Sequence, residues 1–307
     1  MAQRFQPMKR LFLLLPGLLC AAESPEFVAE MHEWEAEMAR PGVQAARELP
    51  ESVRRILALE PTERDDAQAA TLAGYYRTVR ARADAGAEDR VAAARTARGD
   101  IIRRRFLDAG LAYPPREIFL RAFKHESELE LWAREKDEPF RKVAGFAVTA
   151  ASGEPGPKRR EGDRQVPEGC YMIDVFNPKS RFHLSLGLNY PNESDRILAD
   201  PARPGGEIYI HGGAVSIGCL PLGDPAIEEL YLAALDARQR GQQAIPVHVF
   251  PARMSGDGWN AFAKSAADGK PELRAFWEDL QPVHDAFERT RQVPRIRVTG
   301  DGRYLLR

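Results

Sequence analysis

A histidine and a cysteine lie close together in the stretch IYIHGGAVSIGC, residues 208–219, and their side chains can do nucleophilic chemistry. A thiolate is a strong nucleophile, but a thiol with its ordinary pKa of about 8.5 is mostly protonated at neutral pH. A neighbouring imidazole can accept that proton. We therefore interpret Cys219 as a candidate nucleophile and His211 as its general base.

The residues between the two candidates are rich in glycine. His211 ends the predicted strand EIYIH, so a rigid element would set its position. Gly212, Gly213 and Gly218 permit turns that other residues resist, and such turns can bring Cys219 back beside the histidine. The backbone N–H groups of Gly218 and Cys219 are expected to face a developing oxyanion.

The spacing alone leaves other interpretations open. A buried cysteine is often only a small hydrophobic residue, and a histidine at a strand end is often structural. His211 and Cys219 provide too few ligands for zinc, and no second cluster is evident, so no metal is predicted. A disulfide between Cys170 and Cys219, as in a thiol-redox protein, also remains open at this point.

Composition narrows the class of protein. The 307 residues contain 44 Lys and Arg against 45 Asp and Glu, which gives a formal net charge of −1. This balance carries no footprint of nucleic-acid binding. The length suits one large domain or two modest ones.

The N-terminus resembles a secretory signal. MAQRFQPMKR is basic, the apolar run LFLLLPGLLC follows, and small residues come next. We predict a signal peptide over residues 1–22, and therefore export to the periplasm or cell envelope. The apolar run is too short for a transmembrane helix. A lipid anchor on Cys20 is the alternative, although Leu19 is bulky for that role.

The rest of the chain predicts three regions. Residues 23–112 have apolar residues spaced by three and four, which indicates an α-helical N-terminal region. Residues 113–255 are rich in alternating strand-like segments, and residues 256–307 form a C-terminal α/β extension. The predicted strands are IFLRAF, FRKVAGFAVT, CYMIDVF, RFHLSLGL, EIYIH and IPVHVF. The fold class is therefore α+β.

Two helices are expected inside the β-rich region. Ser127 and Glu130 resemble a capping box that opens a short helix in ELELWARE. Asp224 is the expected N-cap of a second helix, with Pro225 at its first position and Gly241 as its stop.

HGGAVSIGC resembles the motif of the L,D-transpeptidase catalytic domain (YkuD-like) family. That motif is a histidine followed by Gly or Ser, a variable loop, and Ser/Thr-x-Gly-Cys; here it is His211 and Gly212, then residues 216–219. Three flanking stretches are similar to the YafK-type branch, also called the peptidoglycan–lipoprotein amidase branch: GPKRREGDRQVPEGCYMI, NPKSRFHLSLGLNYPNESDR and SIGCLPLGDPAIEELY. The similarity covers about residues 116–250.

The resemblance implies a mostly-β catalytic domain with flanking helices, and a role in cell wall biogenesis and cell shape. It implies an enzyme without a cofactor that acts on peptidoglycan stem peptides at diaminopimelate. Cys219 would form a thioester, and His211 would accept the thiol proton and later protonate the leaving amine. A carbonyl just after the histidine, that of Gly212 or Gly213, would orient the ring. An amine acceptor gives transpeptidation, and water gives hydrolysis.

Two departures from the family pattern affect the choice between these reactions. Most members have a histidine where this chain has Ile217, and many have an arginine where it has Pro221. Such an arginine would bind a substrate carboxylate through two hydrogen bonds. We therefore favour hydrolysis that releases a murein-linked protein or peptide, such as a lipoprotein. The alternatives are formation of cross-links or lipoprotein attachments, and a non-catalytic murein-binding module.

Four further residues are candidates for substrate binding. Arg164, in EGDRQVPEG, could supply the missing positive charge or be a solvated loop residue. His183, in RFHLSL, could line the cleft, although the alternation favours a structural strand histidine. Ser216 and Tyr190 complete the set. Cys170, His248 and His284 are interpreted as structural.

Overall fold

The structure is a computed structural model, and it describes residues 25–38 and 49–307. The predicted signal peptide and Cys20 therefore lie outside the described residues. The chain divides into two compact units, Met1–Ala85 and Gly86–Arg307. Within the described residues, no helix is both long and apolar enough to cross a bilayer.

The described residues of the first unit are mainly helical. Its elements are α1 (Pro25–Met38), α2 (Glu51–Leu57), a 3-10 helix (Pro61–Glu63) and the start of α3 (Asp66–Asp108), which continues into the second unit. Apolar residues spaced by three and four turn inward, as their periodicity predicts. Its buried apolar side chains are Phe27, Met31, Leu49, Val53, Ile56, Leu72 and Tyr76.

The second unit is built on one mixed sheet of eight strands. They are β1 (Glu117–Phe123), β2 (Glu128–Arg134), β3 (Arg141–Ala147), β4 (Gly169–Asn177), β5 (Ser185–Leu188), β6 (Tyr209–His211), β7 (Leu220–Pro221) and β8 (Ile245–Phe250). Their order is β3-β2-β1-β8-β4-β5-β6-β7. The pairs β1–β8 and β6–β7 are parallel, and the others are antiparallel. Strands β6 and β7, which flank the stretch from His211 to Cys219, thus lie at one edge of the sheet.

Helices and a small hairpin complete the second unit. They are α4 (Glu193–Leu198), α5 (Asp224–Gln239), α6 (Gly256–Ala266), α7 (Pro271–Thr290) and the paired strands β9 (Ile296–Val298) and β10 (Tyr304–Leu306). α5 buries Ile227, Leu230 and Ala234 in the main core. Trp259 and Trp277, from α6 and α7, pack in a second cluster that includes Phe250. The predicted α+β fold is confirmed.

Helix α3 is tied to α5 by ion pairs inside the second unit. The Arg95 guanidinium binds Asp236 with contacts of 2.7 and 3.0 Å, and Arg105 Nε lies 2.6 Å from Glu229 Oε2. Tyr113 Oη donates to Asp236 Oδ2 at 2.6 Å. These contacts fix the helix that follows the cysteine loop.

The structure corrects the helix predicted in ELELWARE. That segment is strand β2, which pairs with β1 across a tight turn at Lys124–Ser127. The residues alternate with a period of two, and pairing on both sides with β1 and β3 satisfies their backbone. The alternation outweighs the capping-box spacing of Ser127 and Glu130.

Two other local predictions are also wrong. Asp224 is the first residue of α5, and Gly223, with φ of 76°, is the N-cap. The strand predicted over RFHLSLGL begins only at Ser185, and His183 lies in a bend with φ of 70°. A positive φ is incompatible with extended strand pairing, so this histidine stands outside the sheet.

Candidate active site

The two candidate catalytic residues lie on neighbouring strands. In the parallel pair β6–β7, Ile210 is opposite Leu220 and His211 is opposite Pro221. Cys219 directly precedes β7, so it comes beside Tyr209. The Tyr209 N–H donates to Cys219 Sγ at 3.4 Å. The sheet therefore brings the cysteine and the histidine to the same edge.

His211 is held in one tautomer by the backbone. Its side chain is almost completely buried, and Nδ1 lies 2.5 Å from the carbonyl oxygen of Gly212. Because a carbonyl oxygen can only accept, Nδ1 carries the proton, and Nε2 of the neutral ring keeps its lone pair. Burial lowers the pKa of His211, and the bond to Gly212 opposes this only in part. The imidazole is therefore a neutral base at neutral pH.

The turn after His211 is clamped on several sides. The Gly212 N–H donates to the carbonyl oxygens of Phe182 at 3.0 Å and Leu184 at 3.2 Å, and the Gly213 N–H donates to Asp224 Oδ1 at 2.8 Å. A Cβ at position 212 would lie 2.5 Å from Asp224 Oδ1 and 2.7 Å from the Phe182 oxygen. Only glycine fits there. No local pattern in the sequence predicts this contact of Asp224.

Cys219 is a partly buried thiol. Its Sγ donates to the Glu207 carbonyl oxygen at 3.6 Å while it accepts from Tyr209. Burial raises the pKa of Cys219, and the Tyr209 N–H opposes that effect. Among the hydrogen bonds of the described residues, none joins Cys219 Sγ to His211. Burial disfavours the charged form of both groups.

Ser216 braces the cysteine loop from inside. Its hydroxyl accepts from the Gly218 N–H at 3.1 Å and donates to the Cys219 carbonyl oxygen at 2.8 Å. Ser152 Oγ lies 3.4 Å from Ser216 Oγ. The Gly218 N–H, predicted to meet an oxyanion, is thus occupied by Ser216 in this conformation. Ser216 itself, predicted to bind substrate, is engaged within the loop.

An exposed apolar rim surrounds the two candidates. Val215 is 62% exposed and Ile217 is 79% exposed. Phe182 is 42% exposed, and its ring centroid lies 4.7 Å from that of His211 at an interplanar angle of 32°. The contact of Phe182 with His211 was not predicted from the sequence.

The bend that carries Phe182 is fastened by one arginine of α3. Arg90 Nη1 donates to the carbonyl oxygens of Ser180 at 2.8 Å, His183 at 3.1 Å and Pro178 at 3.3 Å. The three carbonyl oxygens converge on this one nitrogen and share its two N–H donors. Helix α3 therefore supports the histidine side of the site.

The remaining predicted substrate residues differ in placement. Arg164 is exposed with φ of 58°, and its neighbour Gln165 has a carbonyl oxygen 3.0 Å from where a Cβ of Gly218 would lie. The loop of Arg164 thus flanks the cysteine loop. His183 Nε2 lies 2.8 Å from Glu228 Oε1, so its ring is paired with α5.

The structure does not support the prediction that Tyr190 binds substrate. The residue is only 7% exposed, it packs in the main core, and its hydroxyl donates to the Pro204 carbonyl oxygen at 3.0 Å. A side chain this buried presents no surface to a substrate. Tyr190 is therefore structural.

A buried cation near the cysteine was missed in the sequence. Lys158, in GPKRREGD, is buried, and its ammonium lies 2.7 Å from Asp163 Oδ1. Its charge favours the thiolate of Cys219 and so lowers the pKa of that thiol slightly against the effect of burial. No local pattern separates this lysine from the half-buried Arg159 and the exposed Arg160 that follow it.

Cys170 and Cys219 are both free thiols in the structure. Cys170 packs against the cluster of α6 and α7, and burial raises the pKa of its thiol well above the ordinary range. The disulfide that the sequence left open is therefore not formed here.

The comparisons with known proteins agree with one another. The L,D-transpeptidase catalytic domain matches residues 126–249. Putative L,D-transpeptidase YafK of Escherichia coli strain K12 is 31% identical over 191 residues, which cover 62% of this chain and 73% of that protein, and YafK of strain O157:H7 gives the same figures.

Two solved structures are also similar to this chain. The helical cell shape determining protein Pgp2 from Campylobacter jejuni is 18% identical with a TM-score of 0.36, and covers 60% of this chain and 73% of its own. Bdellovibrio bacteriovorus Bd1075 is 20% identical with a TM-score of 0.33, and covers 56% and 63%. On the domain match and the similarity to YafK, the chain belongs to the L,D-transpeptidase catalytic domain family, whose members act on peptidoglycan.

Proposed function

We propose that this protein is an exported cysteine enzyme that hydrolyses amide bonds at diaminopimelate in peptidoglycan stem peptides. Its products would be shortened stems or a released murein-linked protein or peptide. The observation that carries the proposal is the bond from His211 Nδ1 to Gly212 O, on a strand adjacent to Cys219. It leaves His211 Nε2 as the proton acceptor that a thiol nucleophile needs.

The proposed reaction has two halves. His211 Nε2 takes the thiol proton as Cys219 Sγ attacks the amide carbonyl, and the same nitrogen then gives the proton to the leaving amine. The C–N bond breaks and a thioester remains. In the second half, His211 Nε2 removes a proton from water, and the resulting hydroxide attacks the thioester carbonyl. The C–S bond breaks, His211 returns the proton to the Cys219 thiolate, and a free carboxylic acid is released.

The resting geometry suggests when the first half begins. The Cys219 thiol donates to Glu207 O, so it must turn from that carbonyl toward the imidazole. A substrate lying over the sheet edge would displace this contact and bring the thiol and base together. Keeping both groups neutral until then protects the thiol from other electrophiles, since the thiolate is the reactive form.

Positions 217 and 221 support hydrolysis over cross-linking. Ile217 projects into solvent, and an isoleucine offers no polar group to a second stem peptide. Pro221 is buried in β7, and its carbonyl oxygen accepts from the Thr149 N–H at 2.9 Å. No arginine stands at either place to hold an acceptor carboxylate. The lack of such a side chain at these two positions favours water over a second stem peptide as the acceptor.

The test is digestion of isolated peptidoglycan sacculi with the mature protein, followed by liquid chromatography and mass spectrometry. Shortened stems or released lipoprotein fragments, absent with Cys219→Ala, are the expected result. Cys170→Ala makes the same change at the other free thiol and should keep the activity. Full activity of Cys219→Ala would show that Cys219 is not the nucleophile and that the proposed mechanism is wrong.

Two other outcomes would replace the proposal. New diaminopimelate–diaminopimelate dimers would make the protein a transpeptidase. Binding to sacculi without any product, by the unaltered protein, would make it a murein-binding module.

A further inference from the structure

One peptide group links His211 to an acidic residue of another element. The carbonyl oxygen of Gly212 accepts from His211 Nδ1 at 2.5 Å. The N–H of the same peptide, which belongs to Gly213, donates to Asp224 Oδ1 at 2.8 Å. The imidazole and the carboxylate therefore bind opposite ends of one rigid amide.

This arrangement has two physical effects on the imidazole. A peptide is planar, so fixing its N–H also fixes the direction of its carbonyl oxygen. A hydrogen bond to a carboxylate is stronger than one between neutral groups, and bonds in a chain polarise each other. The Gly212 carbonyl oxygen is thus both aimed and made a better acceptor for Nδ1–H.

Asp224 is well placed to hold this amide. It is the first residue of α5, directly after the N-cap Gly223, and its carboxylate accepts from the Gly213 N–H. The buried side chains of Ile227 and Leu230 anchor the helix in the core. The close approach of Asp224 Oδ1 to Gly212 leaves no room for a Cβ there, which ties the glycine to this contact.

We infer that Asp224 is a positioning residue for catalysis, acting on His211 through the peptide between Gly212 and Gly213. It completes a set of cysteine, histidine and aspartate in which an amide separates the last two members. The inference rests on the proposed function of His211 as the base for Cys219.

The first measurement is the kinetics of murein digestion by Asp224 variants. Asp224→Ala should lower kcat by about tenfold or more and change KM less than about twofold, because a misaligned base slows chemistry without weakening binding. Asp224→Asn keeps an acceptor oxygen but loses the charge, so its kcat should lie between those of the unaltered enzyme and Asp224→Ala. Asp224→Glu keeps the charge but moves it, and should behave like the alanine variant.

The second measurement does not need the murein activity. Nitrogen-15 NMR of the full chain, labelled at histidine, reports which ring nitrogen of His211 carries the proton, with its signals assigned by their loss in His211→Gln. The unaltered protein should show the Nδ1–H tautomer, and Asp224→Ala should lose part of it to Nε2–H. Asp257→Asn removes an acidic side chain from the first turn of α6 and should change nothing.

The two measurements distinguish a failure of the positioning role from a failure of the proposed function. If Asp224→Ala keeps the Nδ1–H tautomer, or if Asp224→Asn is as impaired as Asp224→Ala, the positioning role is wrong. If the tautomer shifts as expected but the unaltered protein leaves sacculi unchanged, the positioning role stands and the proposed function falls.

Discussion

The two halves of the loop between β6 and β7 are held in different ways. On the histidine side, backbone and carboxylate groups fix His211–Gly213 from Phe182, Leu184 and Asp224. On the cysteine side, the hydroxyl of Ser216 braces the loop from inside, and the apolar neighbours project into solvent. The proposed base, His211, is preorganised, whereas the proposed nucleophile, Cys219, still has to turn toward it.

The difference shows that the histidine half of the loop is held more rigidly than the cysteine half. A base must present one nitrogen in one direction before the substrate arrives, since its tautomer decides whether it can accept a proton. The nucleophile can complete its geometry when the substrate binds, because catalytic hydrogen bonds often tighten only then. Rigid and adaptable halves can therefore serve the same reaction.

The largest effect should come from Gly212→Ala. The new methyl group would lie 2.5 Å from Asp224 Oδ1 and 2.7 Å from the Phe182 carbonyl oxygen, and a backbone carbonyl cannot move aside easily. We expect a loss of about 1–3 kcal/mol in the free energy of unfolding and at least about a hundredfold in kcat. Denaturant unfolding and murein digestion measure these two quantities.

Gly206→Ala is the matched control. A Cβ at position 206 meets nothing within 4 Å, and the residue precedes the same strand β6. Its activity and unfolding should stay near those of the unaltered protein. If Gly212→Ala were equally harmless, the histidine half would not be the rigid one.

Ser216→Ala should have a smaller effect, on the cysteine half alone. It removes the acceptor of the Gly218 N–H and the donor to the Cys219 carbonyl oxygen. We expect about 1–2 kcal/mol less stability and about tenfold lower kcat, with the His211 tautomer unchanged by NMR. Ser152→Ala, which removes the hydroxyl lying 3.4 Å from Ser216, should cost less. A changed tautomer would mean that the two halves are coupled.

The reactivity of Cys219 should depend on pH in a direction set by its burial. The pKa of the thiol is raised, so its thiolate fraction at pH 7.5 is below that of an ordinary cysteine and grows as the pH rises through and beyond about 8.5. Alkylation by iodoacetamide, followed by peptide mass spectrometry, should be a few times slower than for free cysteine at pH 7.5. Fast alkylation that is constant from pH 6 to 8 would instead show a preformed thiolate–imidazolium pair.

The smallest effect should come from Ile217→Ser. The side chain is almost fully in solvent, so the free energy of unfolding should change by less than about 0.5 kcal/mol. Chemical denaturation of the variant beside Ile210→Ser, which alters a buried neighbour on β6, gives the scale. A loss above about 1 kcal/mol for Ile217→Ser would mean that the cysteine half is packed after all.

The sequence predicted the parts of the molecule that are set locally. The helix after Cys219, most of the strands and the α+β class follow from periodicity and turn residues, and the motif resemblance led to the family that the comparisons show. The helix predicted in ELELWARE was wrong because the segment has both a capping-box spacing and a two-residue alternation. Pairing with β1 and β3 favours the alternation, and therefore the strand.

Within the site, contacts that join distant segments were the ones missed. The ring of Phe182 against His211 and the bond from Asp224 to Gly213 depend on the folded path of three separate loops. Tyr190 was assigned to substrate binding although its burial places it in the core. The residues next to a motif do not predict how deeply a side chain is buried or which distant residue it contacts.

The arginine contact beneath Phe182 has a consequence for sequence variation. Arg90 binds three carbonyl oxygens, and every residue type offers the same carbonyl. As far as this contact is concerned, the side chains at positions 178, 180 and 183 can vary, while position 90 needs a long side chain with a cationic donor. Saturation mutagenesis should therefore find position 90 of α3 intolerant of most substitutions and the loop positions tolerant. Comparison of the loop residues alone would not show that Arg90 fixes the loop.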